Sequence, residues 1–277
     1  MIIAGLIDWA PAIAALLVAG LLAGFAAGIF GIGGGFVVVP ALIILLPFLG
    51  GNAAEYAHVA IGTSLATIVF TSFRSVRAHA QRGAVDFDII KSWSPWIIAG
   101  VGAGVLLARV IDGQALTLVF ASGVSLMAIH FLAPWLADRQ MRDRMPTGVM
   151  RASIAGGLGT FSSLLGIGGG TIAVMVMTLC GRSIHRAIAT AAGFGFVIAV
   201  PGTIGFMLIG LGVPDLPIGS IGYVNLPGAA IIASTSMLTA PAGAAAAHRL
   251  PAAPLKRVFG LYLLFVAATM FRHALIA

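Results

Sequence analysis

Residues 28–40 read GIFGIGGGFVVVP, and residues 164–176 read LLGIGGGTIAVMV. Each stretch sets three consecutive glycines between long apolar runs. Glycine costs a helix about 1 kcal/mol per residue relative to alanine, so the chain interrupts itself twice, with the same five letters. The surroundings of these two interruptions decide the fold.

The chain has 277 residues, of which 60% are hydrophobic and 8% charged. A soluble domain carries about 25% charged residues, so most of this surface faces lipid. The net charge of +7 does not indicate nucleic acid, because the basic residues lie in short loops between apolar segments, as they do in membrane proteins. Cys180 is the only cysteine, which excludes an internal disulfide framework and a multi-cysteine metal site. The N-terminal MIIAGLIDWAP has no basic region and no A-x-A-like site, and reads as retained rather than cleaved.

Ten apolar segments run at roughly 12–30, 36–49, 57–73, 93–108, 115–136, 147–165, 171–181, 188–211, 227–247 and 258–276. A spanning helix needs about 20 residues. The second and seventh segments are too short, and each directly follows a GIGGG. The segments also repeat in order. Gly31–Gly35 matches Gly166–Gly170. Gly20, Gly24 and Gly28 match Ala155, Gly159 and Ser163. HVAIGT (58–63) matches HRAIAT (185–190), and GAVDF (83–87) matches GYVNL (222–226). Gly100, Gly104 and Ala108 match Thr239, Gly243 and Ala247, and LTLVF (116–120) matches LKRVF (255–259). The chain is read as a tandem duplication, residues 1–141 and 142–277, with five helical segments per copy.

Basic residues set the orientation. Thirteen of the 15 Lys and Arg fall in four loops: Arg74 to Lys91, Arg139 to Arg151, Arg182 to Arg186, and Arg249 to Arg257. Placing these loops in the cytoplasm satisfies the positive-inside rule. The loop 212–225 then lies outside and has no Lys or Arg, while its repeat partner, the Arg74–Lys91 loop, lies inside. The copies are therefore expected to be inverted, as in many secondary transporters, with both termini extracytoplasmic. Trp9, Trp93, Trp96 and Trp135 lie near segment ends and are expected to form an interfacial belt.

The expected fold is an all-α polytopic membrane protein of two inverted repeats, each with a short or broken helix after its GIGGG. Inside hydrocarbon every backbone N–H and C=O needs a partner unless it faces a cavity. A short helix that starts at a break presents unpaired N–H groups and a positive dipole end, which suits an anion. The candidate substrate site is Gly33, Gly34, Gly35, Gly168, Gly169 and Gly170, with the hydroxyls of Thr63, Ser64, Thr171 and Thr190. The alternatives are that the glycines serve only as hinges or turns, that Gly20, Gly24 and Gly28 only pack, and that the hydroxyls bond their own helices. His58 and His185 open the repeated motif. They either titrate and link transport to pH or stand as water-exposed interfacial histidines.

All eight acids lie in or beside loops, and no apolar segment has an obvious central carboxylate. That absence fits an anionic substrate. No nucleophile–base pair, H-E-x-x-H or carboxylate pair stands at a useful spacing, so the chain reads as a non-enzyme. No cofactor, metal or nucleic acid is expected. The expected partners are a small anion and the bilayer, and the abundant small-residue faces are compatible with a homodimer.

The paired GIGGG motifs, HRAIAT and GYVNL resemble the sulfite exporter TauE/SafE family, also called the toluene-sulfonate uptake permeases. The resemblance covers nearly the whole chain. It implies a multi-pass bacterial inner-membrane transporter of sulfur oxyanions or organosulfonates, such as sulfite, sulfoacetate or toluene sulfonate, importing or exporting. The copies differ at Ala191, which stands where Ser64 follows Thr63. A passive anion channel and a non-transporting membrane subunit of a sulfur-metabolism complex are the alternatives.

Overall fold

The computed structural model describes residues 2–133, 145–249 and 252–276. Ten α-helices occupy them: α1 (Ile2–Phe30), α2 (Gly35–Leu45), α3 (Tyr56–Ala80), α4 (Phe87–Val110), α5 (Gly113–Leu132), α6 (Gly148–Leu165), α7 (Gly170–Leu179), α8 (Ile184–Ile209), α9 (Leu226–Ala247) and α10 (Ala252–Ile276). Seven are long and apolar enough to cross a membrane: α1, α3, α4, α5, α8, α9 and α10. The short α2 and α7 are the segments that follow the glycine breaks. Large apolar side chains such as Val18, Leu22, Leu106, Leu238 and Phe265 are exposed on the outer faces. Water would penalise such a surface, and lipid does not.

Helix α3 forms the centre and packs against α8. Helix α1 packs along α9, α4 along α6, and α5 along α10, while α2 rests on α3 and α7 on α8. Exchanging α1–α5 with α6–α10 maps this pattern onto itself. The small-residue faces explain the close pairs. A Cβ on Gly24 would meet the backbone of Ser236, one on Gly28 the Ala240 carbonyl, and one on Gly159 the Ile97 carbonyl. Without side chains in the way, Thr239 Oγ1 donates to Leu21 O at 2.8 Å and Thr160 Oγ1 to Gly100 O at 2.9 Å. In a bilayer each such bond is worth about 0.6 kcal/mol, so backbone proximity matters more than the bonds themselves.

Three expectations are corrected. Helix α1 begins at Ile2 rather than near residue 12, which puts Asp8 inside a helix rather than in or beside a loop. Trp93 is no belt residue. It is 2% exposed and stacks on Phe194 with ring centroids 6.0 Å apart. Trp96 is exposed, and Trp135 lies outside the described residues, as do Arg139, Arg142, Arg144 and the expected repeat boundary. Finally, the 212–225 loop contains a small antiparallel hairpin, β1 (Ser220–Ile221) with β2 (Val224–Asn225), in the register Ser220↔Asn225 and Ile221↔Val224. Its two-residue turn begins at Gly222, whose φ of 52° is accessible to glycine. The strands are too short to carry an alternation pattern in sequence.

Candidate functional site

Both helix interruptions use left-handed glycines. In the first break, Gly31, Gly33 and Gly34 have φ of 68°, 78° and 87°, and in the second, Gly166 and Gly169 have 62° and 67°. An L side chain at these dihedrals is strained. Gly34 and Gly169 cap the N-termini of α2 and α7 without any side-chain bond. The first amides of both helices therefore lack intrahelical carbonyls.

The two breaks touch. Gly168 N–H donates to Ile32 O at 3.1 Å. A Cβ on Gly33 would stand 3.2 Å from Gly168 Cα. The approach is reciprocal: a Cβ on Gly35 would fall on the Gly166 carbonyl oxygen, and one on Gly170 on the Gly31 carbonyl oxygen. Gly33–Gly35 and Gly168–Gly170 thus form one junction, buried throughout. It also touches the central helices, because Gly31 abuts Ile188 O on α8 and Gly166 abuts Ile61 on α3.

Hydroxyls surround the junction unequally. Ser64 Oγ donates to Gly166 O at 2.7 Å, and Ala191 has no equivalent group. Four hydroxyls among the described residues are buried without a hydrogen-bond partner: Ser75 Oγ, one turn along α3, and three nearer the junction, Ser72 Oγ, Ser162 Oγ and Thr171 Oγ1. Ser72, Ser162 and Thr171 are 1%, 0% and 6% exposed. Ser162 Oγ would lie 2.8 Å from a Cβ on Gly169. Ser72 Oγ lies against Gly195, which in turn packs on Gly168. Thr171 is the second residue of α7. An unpaired buried hydroxyl costs about 1–3 kcal/mol, and native interiors seldom keep several together.

Thr63 and Thr190 sit elsewhere, at matched joints between the halves. Asn225 N–H donates to Thr63 Oγ1 at 2.8 Å, and Asp86 N–H donates to Thr190 Oγ1 at 3.0 Å. Asn225 and Asp86 are the N-caps of α9 and α4, accepting from Gly228 N at 2.9 Å and Ile89 N at 3.3 Å. Each threonine thus ties its own helix to the start of a helix in the other half. Asp86 also meets the exposed Arg182 at 3.9 Å, a contact of little energetic weight at that distance.

The two motif histidines differ. His58 is buried rather than water-exposed, at 4%. Its Nε2 bonds Ala108 O at 3.0 Å and Ile111 O at 3.1 Å, at the end of α4. Its ring stacks on Tyr223 at 4.8 Å, and Tyr223 Oη donates to Glu55 at 2.7 Å. Burial, then the Glu55 carboxylate, pushes the Tyr223 phenol well above its ordinary range. His185 is exposed and stacks on His248 at 5.3 Å.

Sequence reasoning missed Ser72, His79, His248 and the capping role of Asn225 and Asp86. Only the caps had a signal, an Asn or Asp directly before an apolar run. Among the described residues, no group of three or more His, Cys, Asp or Glu could hold a metal ion.

Comparison with known proteins agrees with this architecture. The family model described as "Sulfite exporter TauE/SafE" matches residues 16–270. A probable membrane transporter protein of Haemophilus influenzae is 36% identical over 92% of this chain and 96% of its own length. One from Methanocaldococcus jannaschii is 26% identical over 79% of this chain and 80% of its own. One from Bacillus subtilis is 28% identical over 70% and 78%, respectively. No solved structure matches. With a match across nearly its whole length, a multi-pass helical architecture and paired glycine breaks at its centre, the chain belongs to the sulfite exporter TauE/SafE family of membrane transporters.

Proposed function

We propose that this transporter carries a small sulfur oxyanion or organosulfonate, such as sulfite or sulfoacetate, by alternating access, with the substrate held at the junction of the two glycine breaks. The observation that carries the reading is that three of the four buried, unpartnered hydroxyls among the described residues, Ser72, Ser162 and Thr171, stand around touching helix starts. Backbone N–H groups at the starts of α2 and α7 supply further donors, and the two helix dipoles point positive ends at one place. Hydroxyl and amide donors bind an oxyanion without the cost of burying a fixed charge. Ser64 and Thr171 of the expected set belong to this junction. Thr63 and Thr190 act on it through helix placement.

On this reading residues 1–141 and 142–277 are inverted repeats in a bacterial inner membrane, with both termini outside. The matched helix pairs support it, since exchange of the halves maps α1–α9 onto α6–α4, α2–α3 onto α7–α8, and α3–α8 and α5–α10 onto themselves. Rocking of one bundle against the other would expose the junction alternately. In a cysteine-free background (Cys180→Ala), Ile218→Cys is expected to react with an impermeant maleimide in intact cells. Gln81→Cys is expected to react only after the membrane is opened. The reverse pattern would sink the orientation.

Uptake of labelled sulfite and organosulfonates into proteoliposomes tests the function. Saturable uptake is expected, whereas fast flux without saturation would identify a channel. A hydrogen bond to a charged group is worth about 1.5–3 kcal/mol. The double variant Ser162→Ala, Thr171→Ala should therefore raise KM by about tenfold or more while leaving thermal unfolding unchanged or improved. Parent-like KM in that variant would move the site away from the second break.

A further inference from the structure

One cluster of titratable side chains lies outside the junction yet reaches it. His185 begins α8 and is exposed, His248 follows α9 and is half-buried, and His79 ends α3 and is fully buried. The rings form a string. His185 stacks on His248 at 5.3 Å, and His248 Nε2 lies 3.3 Å from His79 Nδ1. His79 Nε2 bonds Gly28 O at 3.1 Å, and Gly28 stands three residues before the first break. A carbonyl only accepts, so the proton of neutral His79 sits on Nε2. Its Nδ1 then accepts from His248 Nε2–H.

We propose that His185, His248 and His79 form a proton-loading site, which binds a proton from the basic-loop side of the membrane and thereby parts the helices that close the junction there. The inference rests on the transport reading above and adds a coupling ion to it. The string joins α1, α3, α8 and α9, elements of both halves, at one end of the molecule. Any opening at that end separates His79 from His248, so occupancy of the string and opening are linked.

Among the described residues, the charged and titratable groups facing these rings are the rings themselves and Arg82, whose guanidinium bonds Ala78 O at 2.7 Å. Arg186 and Arg249 flank His185 and His248 in sequence, and Asp86 is paired with Arg182. Among the described residues, no carboxylate acts on the rings. A second proton therefore meets like charge, opposed only by the C-terminal carbonyls of α3 and α9. Burial, then His185, then Arg82, holds His248 below the ordinary histidine value of 6.5 in this arrangement. The arrangement is thus fully stabilised above that value and weakens as pH falls through it. Acid favours the parted state.

Spin labels at Gln81→Cys and Arg249→Cys, both exposed, report the opening in the Cys180→Ala background, without any substrate. A longer-distance population is expected to grow between pH 8 and pH 5. Its pH dependence should vanish in His248→Gln and in His79→Gln, which keep a donor near the Nε2 position but do not titrate. His185→Gln should only slow or shift it. Distances independent of pH in the parent, or an unchanged pH response in both Gln variants, would overturn the proposal. Where one Gln variant fails to fold, the other decides.

The second arm uses toluene sulfonate in proteoliposomes with a pH dye inside. A sulfonate stays ionised throughout, so any proton that accompanies it is bound by the protein. Proton movement with the sulfonate is expected in the parent. Its loss with sulfonate flux retained is expected in His248→Gln. A parent that moves sulfonate without protons overturns the coupling. A parent that moves neither sulfite nor sulfonate removes the substrate reading, and the spin-label arm still decides the histidine string.

Discussion

Alanine at Gly35 or Gly170 is expected to abolish transport. Neither residue has an unusual φ, so backbone strain is not the cause. The cause is interlock. The Gly35 Cβ would occupy the Gly166 carbonyl oxygen, and the Gly170 Cβ the Gly31 carbonyl oxygen. Backbone cannot yield as a flexible side chain can, so the breaks must separate. Overpacking a closed interior costs about 1–3 kcal/mol, and here the strain falls on the junction that holds the Gly168 N–H to Ile32 O bond of 3.1 Å. Gly102 and Gly157 have open space around a Cβ, so the same change there should be silent or stabilising, since alanine is the better helix former. Thermal unfolding and proteoliposome uptake, compared across the four variants, check the result. Parent-like transport in Gly35→Ala would show that the breaks need no contact.

Asn225→Ala is expected to be the most destabilising polar substitution. Asn225 is 0% exposed. Its Oδ1 accepts from Gly228 N at 2.9 Å, and its Nδ2 donates to Ile218 O at 2.9 Å and Ser220 Oγ at 3.2 Å. Removing the cap costs about 1 kcal/mol. Each buried group left without a partner adds about 1–3 kcal/mol, so a loss of several kcal/mol is expected. Asp86, its counterpart on α4, caps at 3.3 Å and is only partly buried, so Asp86→Ala should cost about 1 kcal/mol. Asn225→Asp separates the contributions, because it keeps the cap and loses the Nδ2 donors. Denaturation midpoints in detergent should rank parent, Asp86→Ala, Asn225→Asp, Asn225→Ala. Equal midpoints for the two alanine variants would contradict the role of burial.

The glycine breaks were legible because their signal is local. Three glycines inside an apolar run leave few alternatives to an interruption, and the following runs are too short to span. Helices α2 and α7 start at Gly35 and Gly170 accordingly. The small-residue spacing of Gly20, Gly24 and Gly28 likewise announced a close helix contact, though not that the partner would be α9. Trp93 was misjudged because α4 starts at Phe87, well before the apolar run, which puts Trp93 inside the helix, and because sequence position does not say which face a side chain occupies. Its ring turns inward, onto Phe194 of α8. Thr63 and Thr190 stood out by repetition, and repetition alone does not separate a ligand from a joint.

The sequence by itself determined the membrane class, the number of helices, the two interruptions and their family. Those features follow from hydropathy, length and glycine spacing, which act within one segment. Only the tertiary structure decided that the breaks touch and that Ser72, Ser162 and Thr171 are left unpaired beside them. It also decided that His185, His248 and His79 line up. These residues come from α3, α6, α7, α8 and the end of α9, more than 100 residues apart in places. No local rule orders them. Their meeting depends on which helix faces pack, and that is a property of the closed core.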